Sequence, residues 1–314
     1  MLGYLLKRLG QLPVTLLGLF TVIFLILRVM PGDPVAAYLG DVASPEAIRD
    51  MRIQFGLDKP VAVQYVETLW GMFKGELGRS FVSRRPVTET IMAVLPNTAI
   101  LALAALIASS VLGMLAGILA ALRINRLTDY VVMIFSTLGV SIPVFWLGLM
   151  LIFVFSYKVG LFPVAGVTTQ PTLLAQVHAL VLPTAALGLL FMSVVARMTR
   201  SSVAEILNMD FIRTVRAKGA SERLIIMKHA LRNAMIPIVT VIGINTGLLI
   251  AGTVLAETVF VRPGVGKLLV DAVLSSDYPV VQGTVLLIGM VYILTNLVVD
   301  LLYAWLDPRI TLGG

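Results

Sequence analysis

The chain has 314 residues, of which 58% are hydrophobic and 13% charged, and its formal net charge is +7. Soluble domains carry about 25% charged residues, so this composition excludes an ordinary soluble protein and indicates a membrane protein with several crossings. The sequence contains no cysteine, which excludes disulfides and thiol catalysis, and its two histidines argue against a histidine-built metal site.

Long apolar runs predict the membrane-spanning helices, since a crossing needs roughly 20 apolar residues. Six such runs occur, and an even number of crossings places both termini on the same side of the membrane. The sequence therefore predicts an all-α polytopic membrane protein with six transmembrane helices in a single membrane domain spanning residues 1–314. The predicted helices are Leu9–Met30, Asn97–Leu122, Tyr130–Tyr157, Ala179–Ala196, Ala234–Ala256 and Val280–Leu306.

Lysine and arginine are concentrated in the loops on one side of this arrangement. Short basic loops stay in the cytoplasm, so the basic loop over residues 197–233 is predicted to be cytoplasmic, as are both termini. The loop over residues 31–95 is long and nearly balanced in charge, which indicates the outer side.

The outer loop is predicted to form a small helical cap. Ser44 is a good N-cap for a helix over Pro45–Phe55, and a second apolar patch predicts a helix over Val61–Lys74. At the start of the loop, the segment Met30–Pro34 contains two prolines and a glycine. It is interpreted as a helix stop, with contact to an external partner as the alternative.

The cytoplasmic loop contains a short amphipathic helix in its centre. Asp210 is predicted to be the N-cap of a helix over Phe211–Lys218, and Gly219 to be the left-handed residue that ends it. Ser221 is a candidate N-cap for the next helix. Upstream, Ser202 and Glu205 have the spacing of a capping box, so three linked helices are predicted in this loop.

Two explanations account for the basic character of the loop. Positive charges would set membrane topology and contact anionic lipids. Topology alone does not require Phe211, Ile212 and Val215 on one face of a helix outside the bilayer. An apolar face bounded by arginines favours insertion into a groove of a cytoplasmic protein partner.

The same loop resembles the EAA loop of permease subunits of ATP-binding-cassette importers, in particular the peptide-permease branch. The run Arg213-Thr214-Val215-Arg216-Ala217-Lys218-Gly219 carries the resemblance, followed by His229-Ala230-Leu231-Arg232-Asn233-Ala234 and Pro237. Val215 stands where alanine is more usual. Further motifs extend the resemblance over the whole chain, among them Pro31-Gly32-Asp33-Pro34, Phe55-Gly56-Leu57-Asp58, Leu95-Pro96-Asn97-Thr98, Asp277-Tyr278-Pro279 and Asp307-Pro308-Arg309.

The resemblance implies a type I ABC importer permease fold in a bacterial or archaeal cytoplasmic (inner) membrane. The implied partners are a second homologous permease, two cytoplasmic ATPase subunits, an extracytoplasmic substrate-binding protein and the lipid bilayer, with no nucleic acid. ATP and Mg²⁺ would bind in the ATPase subunits, and this chain would carry no cofactor or metal. The implied ATPase-coupling residues are Asp210, Phe211, Ile212, Arg213, Thr214, Val215, Arg216, Ala217, Lys218, Gly219 and Ala220.

The residues themselves agree that the chain is not an ATPase. A P-loop needs a glycine at position 261 and a hydroxyl at position 268, where this chain has Val261 and Leu268 beside the string Gly264–Lys267. That string is interpreted as a turn. A secondary transporter driven by an ion gradient is the alternative function, but it usually places ionisable relays within its helices, and the predicted spans contain almost none. No residue cluster suggests a membrane enzyme.

Polar residues inside the predicted spans are candidates for the substrate path. They are Ser136, Asn245, Thr246 and Asn296, each of which could instead make ordinary interhelical hydrogen bonds. Gly113 and Gly117 have the spacing that lets helices approach closely, within the subunit or against the partner permease. For the substrate, the resemblance implies a di- or oligopeptide, with glutathione as the next choice.

Overall fold

A computed structural model describes residues 2–29, 33–39, 44–168 and 172–306. These residues contain helices, turns and an isolated β-bridge between Arg79 and Pro86, and no strand. The all-α prediction is therefore confirmed. The motif Asp307–Arg309 and part of the Met30–Pro34 stop lie outside the described residues.

The helices in the first third of the chain include both helices predicted for the outer loop. Ser44 caps its helix as predicted, because its Oγ accepts a hydrogen bond of 3.2 Å from the amide of Ala47. The helices are α1 (Leu2–Val29), α2 (Pro34–Leu39), α3 (Pro45–Gln54), α4 (Val61–Phe73) and α5 (Val87–Leu122).

The remaining helices include two that contain π-helical turns. Helix α7 continues as a π-helical segment over Ile152–Lys158, and α10 continues through Ile225–Ala230 into α11. The helices are α6 (Leu127–Ser141), α7 (Val144–Leu151), α8 (Leu173–Leu207), α9 (Asp210–Ala217), α10 (Glu222–Leu224), α11 (Leu231–Val259), α12 (Val265–Leu274) and α13 (Tyr278–Leu306).

Five of the described helices are long and apolar enough to cross a membrane, and a bent pair would make a sixth. The bent pair corresponds to the predicted third span. The predicted span over Tyr130–Tyr157 is broken instead of continuous, because α6 and the segment Val144–Lys158 meet at an angle of 108°. Pro143 explains the break: a residue before proline is disfavoured in the α region, and Ile142 is accordingly extended, with ψ of 124°.

Several helices are longer than the apolar runs that predicted them. Helix α5 begins at Val87 instead of Asn97, and α8 extends at both ends of Ala179–Ala196. Pro96 and Pro183 lie inside these helices. Proline is tolerated inside membrane helices, because neighbouring helices can satisfy the backbone groups that it frees.

The chain forms two compact units, with boundaries inside α5 and α13. One unit consists of residues 100–262 with the C-terminal residues from 294, and α8 lies at its centre against α6, α7 and α11. Gly113 and Gly117 of α5 allow close approach to α8, because a Cβ on Gly117 would lie 2.5 Å from the carbonyl oxygen of Ala196. Packing of this glycine pair within the chain is confirmed.

The other unit consists of residues 2–99 and 263–293. Its core joins α1 to the start of α13 through Phe20, Phe24 and Leu286, with Tyr65 of α4 packed against them. Asp277 fixes the turn that precedes α5. Its buried carboxylate accepts hydrogen bonds from Ser80 Oγ at 2.5 Å and from the amide of Phe81 at 3.0 Å.

Candidate functional site

Helix α9 lies between the long helices α8 and α11 in the first compact unit. It starts one residue earlier than predicted: Met209 is the N-cap, and Asp210 is the first helical residue. The prediction that Asp210 caps the helix is therefore wrong. Its carboxylate instead accepts a hydrogen bond of 3.2 Å from Arg213 one turn later, and a negative charge in the first turn complements the helix dipole.

One face of α9 is buried against the chain itself. Ile212 is fully buried in a cluster that includes Val203 and Ile206 of α8 and Ile238 of α11. Val215 is partly buried against the same cluster. The prediction that this apolar face enters a groove of a partner is therefore wrong, because Ile212 attaches α9 to its own protein. Burial of an isoleucine side chain stabilises this attachment by about 2 kcal/mol.

The opposite face of α9 is exposed and mostly polar. Phe211 is 39% exposed at its edge. Helical geometry places the buried Ile212 and Val215 on one side of α9. The residues on the opposite side of the helix are therefore the farthest from the core. These exposed residues are Asp210, Arg213, Thr214 and Ala217. This surface, here called the α9 outer face, could contact a protein partner.

A left-handed glycine ends α9, as predicted. Gly219 has φ of +82°. Its amide donates to the carbonyl of Arg216 at 3.0 Å, and the amide of Ala220 donates to Val215 at 3.4 Å. These are the two hydrogen bonds of a Schellman motif, and Val215 and Ala220 both pack against the cluster around Ile212. The turn thereby fixes the direction in which the chain leaves α9.

An ion pair connects the end of α9 to the start of α10. Arg216 donates to both carboxylate oxygens of Glu222, from Nε at 2.6 Å and from Nη2 at 3.1 Å. These hydrogen bonds, and secondarily the negative charge, raise the pKa of the Arg216 guanidinium above its usual value. Ser221 is the N-cap of α10 as predicted, although its side chain makes no capping hydrogen bond.

A second ion pair lies near the α9 end of α8, and the sequence reasoning missed it. Arg200 donates from Nε to one oxygen of Asp129 at 3.0 Å and from Nη2 to the other at 2.7 Å. The amide of Asn125 also donates to this carboxylate, at 3.0 Å. Asp129 is almost fully buried, so the pair joins the first turn of α6 firmly to α8. An acidic residue at the start of an apolar run was the only sequence signal.

The predicted third helix of the loop does not exist as a separate element. Ser202 and Glu205 lie inside α8, which runs without a break to Leu207. Their spacing matches a capping box, but Ser202 is buried within a continuous helix and cannot begin one. The loop thus consists of the end of α8, α9 and the start of the helix that continues into α11.

The four candidate residues for a substrate path are spread over three helices. Asn245 and Thr246 donate to backbone carbonyls one turn earlier in α11, at 2.8 and 2.7 Å. Ser136 is buried in α6, and Asn296 is half-buried in α13. In the part of the chain that the structure describes, no hydrogen bond joins any two of these four side chains. Their role in a path stays a prediction.

Ionisable residues inside the long helices are more numerous than predicted. Because α11 continues to Val259, it includes Glu257, which is fully buried. Arg262 follows the helix and donates to the carbonyl of Gly166. Burial lowers the pKa of Arg262, and the charge of Glu257 partly offsets this effect. Glu257 lies near the end of α11 and not at its middle, so the absence of an ionisable relay at mid-membrane stays a prediction.

The structure also corrects the interpretation of Gly264–Lys267. Gly264 is the N-cap of α12, and the residues after it form the first helical turn instead of an isolated turn. Lys267 contacts the carboxylate of Asp271 at 2.8 Å. Across the described ranges, no group of three or more histidine, aspartate and glutamate side chains could hold a metal ion.

Comparison with known proteins covers almost the whole chain. Residues 113–312 match the family described as "Binding-protein-dependent transport system inner membrane component", and residues 1–102 match the N-terminal family of such membrane components. The α9 loop lies within the first match.

Named transport-system permeases align with this chain along almost their full length. A putative peptide transport system permease protein of Brucella suis is 41% identical over 311 residues, covering 99% of each chain. The di/tripeptide transport system permease protein DppB of Pseudomonas aeruginosa is 41% identical over 332 residues, and the glutathione transport system permease protein GsiC of Salmonella choleraesuis 43% identical over 310 residues, each again with 99% of both chains covered. The chain belongs to the family of inner membrane components of binding-protein-dependent transport systems, and it is a multi-pass permease subunit of an ABC importer.

Proposed function

We propose that this chain forms one half of the translocation pore of an ATP-driven importer and transmits ATP-driven motion through α9. The observation that carries the proposal is a short exposed helix held rigidly on the long helices. Ile212 attaches α9 to α8 and α11, and the α9 outer face remains exposed. A force applied to that face would be transmitted to the long helices, because close-packed interiors deform little.

The partners follow from the family. The other half of the pore would be a second, similar permease, and two cytoplasmic ATPase subunits would each receive one loop helix. An extracytoplasmic binding protein would deliver the substrate. ATP and Mg²⁺ would bind in the ATPase subunits, so this chain would need no cofactor of its own.

The coupling residues fall into two groups with different tasks. Ile212, Val215 and Gly219 hold the helix and its turn in place. The exposed side chains would contact the ATPase, with Phe211 at the edge of the α9 outer face as an apolar contact. This division revises the simple view that every residue from Asp210 to Ala220 contacts the partner.

The substrate class is taken from the relatives. Proteins that resemble this chain over its full length carry names for di/tripeptide and glutathione transport. We therefore propose a di- or oligopeptide, or glutathione, as the transported molecule. Ser136, Asn245, Thr246 and Asn296 are the proposed polar positions along its path.

The orientation follows from the basic loops. The loop that contains α9 and both termini would face the cytoplasm of a bacterium or archaeon, with residues 31–95 on the outer side. In this orientation, ATPase subunits would be able to reach α9.

Co-purification tests the proposed assembly. A tag at the C-terminus, followed by extraction in a mild detergent, should recover a second permease and P-loop ATPases, identified by mass spectrometry. Transport activity must be shown for the same preparation. Recovery of this chain alone from a transporting preparation would refute the proposal and favour a gradient-driven carrier.

A further inference from the structure

Helix α4, within the predicted outer loop, has the surface pattern of a helix that lies in a membrane. Its residues form three faces, as the helical repeat of 100° per residue places them. One face, with Tyr65, Leu69 and Met72, packs against α1 and α13. A second face is polar. A third face is apolar and exposed, and it consists of Val63, Val66, Trp70 and Phe73.

The contacts of α4 with α1 place it beside a membrane-spanning segment. The hydroxyls of Tyr65 and Thr21 are 2.8 Å apart, and the Tyr65 ring lies 5.2 Å from those of Phe20 and Phe24. Gln64 accepts a hydrogen bond of 2.9 Å from Arg28. All four α1 residues belong to the span Gly10–Val29.

The depth of this contact can be worked out from the helix rise. Thr21 lies eight residues before Val29, and at 1.5 Å per residue this is about 12 Å along the axis of α1. A span of 20 residues covers roughly 30 Å, the thickness of the hydrocarbon core. Tyr65 therefore reaches well below the membrane surface at which α1 ends.

Exposure of the apolar side chains of α4 to water would cost free energy. Val66 and Trp70 are each 63% exposed, and Phe73 is 77% exposed. Helix α4 packs against α1 through Tyr65, and α1 has exposed apolar residues of its own within its span, Leu25 and Ile26. The exposed faces of α4 and of this part of α1 are therefore both apolar, as surfaces in contact with lipid are.

The polar residues of α4 are arranged as an interfacial helix requires. Glu67 pairs with Lys59 at 2.7 Å, and both Glu67 and Thr68 line an open cleft of about 410 Å³. At the end of the helix, the ammonium of Lys74 lies 5.5 Å from the centre of the Trp70 ring. Tryptophan and lysine are typical anchors at a membrane interface, where the lysine extends toward the headgroups.

We propose that α4 is embedded in the outer part of the bilayer beside α1 and that lipid acyl chains cover Val66, Trp70 and Phe73. The polar face with Glu67 then points toward water and the cleft. Helix α4 was predicted to be part of an outer cap, and in this proposal it is a membrane element. It broadens the lipid-facing surface of the second compact unit. A protein partner on the same face is the rival occupant.

Spin labelling tests the proposal directly, because the chain contains no cysteine to replace. Single nitroxide labels would be placed through V66C and F73C, with E67C as the matched control one residue from Val66 and L25C as a lipid-facing reference on α1. The full-length chain, co-expressed with its partner subunits, would be reconstituted in phosphatidylcholine and phosphatidylglycerol vesicles. Collisions with oxygen, which enters lipid, and with a water-soluble nickel complex would then be compared.

We expect oxygen to be severalfold more effective than the nickel complex at positions 66 and 73, as at position 25, with the reverse order at position 67. More effective nickel at 66 and 73 would show that the face is in water and overturn the proposal. Exclusion of both reagents would show a protein partner there and also overturn it. Native Trp70 gives a second readout: with Trp146 and Trp305 replaced by phenylalanine, brominated lipids should quench its fluorescence.

Discussion

Substitution of Gly219 by valine is predicted to disconnect α9 from the rest of the chain without unfolding the protein. Gly219 has φ of +82°, a conformation that a β-branched residue strongly avoids. A Cβ at this position would meet no atom within 4 Å, so the cost comes from the backbone and not from a clash.

The size of the effect follows from the turn geometry. An L-residue in the left-handed region costs roughly 1–2 kcal/mol, and valine lies at the upper end or beyond. Opening the turn instead would lose the hydrogen bonds of Gly219 and Ala220, worth about 1 kcal/mol each. Either route costs about 2 kcal/mol, which shifts the equilibrium between closed and open turn by roughly thirtyfold.

The assay is ATP-driven uptake into vesicles that contain the assembled transporter, measured with the melting temperature of the same samples. Among the three variants, G219N should keep the most uptake, G219A less and G219V the least, since asparagine tolerates the left-handed region best. The matched control is G75V: Gly75 ends α4 in the same turn geometry, with φ of +79° and open space for a Cβ. The G75V variant should keep its ATPase subunits bound. Wild-type uptake by G219V would refute the coupling role of this turn.

Three further predictions concern stability and can be checked by thermal melting in detergent. D129N should destabilise the protein by about 2 kcal/mol, because it removes the charged acceptor of Arg200; a shift no larger than that of E67Q, an exposed pair, would contradict this. G117V should lower the melting temperature far more than G18A, since only Gly117 touches another helix. D277A should lose about 2 kcal/mol and expose the turn at Ser80 and Phe81 to proteases, and an unchanged cleavage rate would refute it.

The sequence was sufficient to predict where the helices lie but not where each helix begins and ends. Apolar runs of about 20 residues have few alternatives in a membrane, which is why every predicted crossing corresponds to described helical structure. Helix ends are different, because a helix can extend beyond the bilayer and can contain a proline. Pro96 lies inside α5, whereas Pro143 separates α6 from α7, and no local pattern distinguishes the two.

The site was predicted in position but not in orientation. Periodicity correctly placed Ile212 and Val215 on one face of α9. It could not say whether that face meets a partner or the chain's own helices, because that depends on residues such as Ile238 that lie far away in sequence. The pair of Asp129 and Arg200, 71 positions apart, was missed for the same reason.

Local backbone requirements were predicted well. Gly219 was expected to be left-handed because glycine at the end of a short helix is the usual terminator, and its φ agrees. Ser44 likewise caps α3. Asp210 failed as a cap because its neighbour Met209 takes the extended conformation before the helix, with ψ of 149°.

Photocrosslinking from α9 tests the central claim most directly. Benzoylphenylalanine would replace Phe211, at the edge of the α9 outer face, in the assembled transporter, with Phe73 of α4 as a control position of similar chemistry. Irradiation should attach position 211 to an ATPase subunit, with a yield that changes when ATP hydrolysis is blocked, and position 73 should give no such adduct. Adducts from position 211 to lipid or to this chain alone, in a preparation that contains the ATPases, would contradict the account.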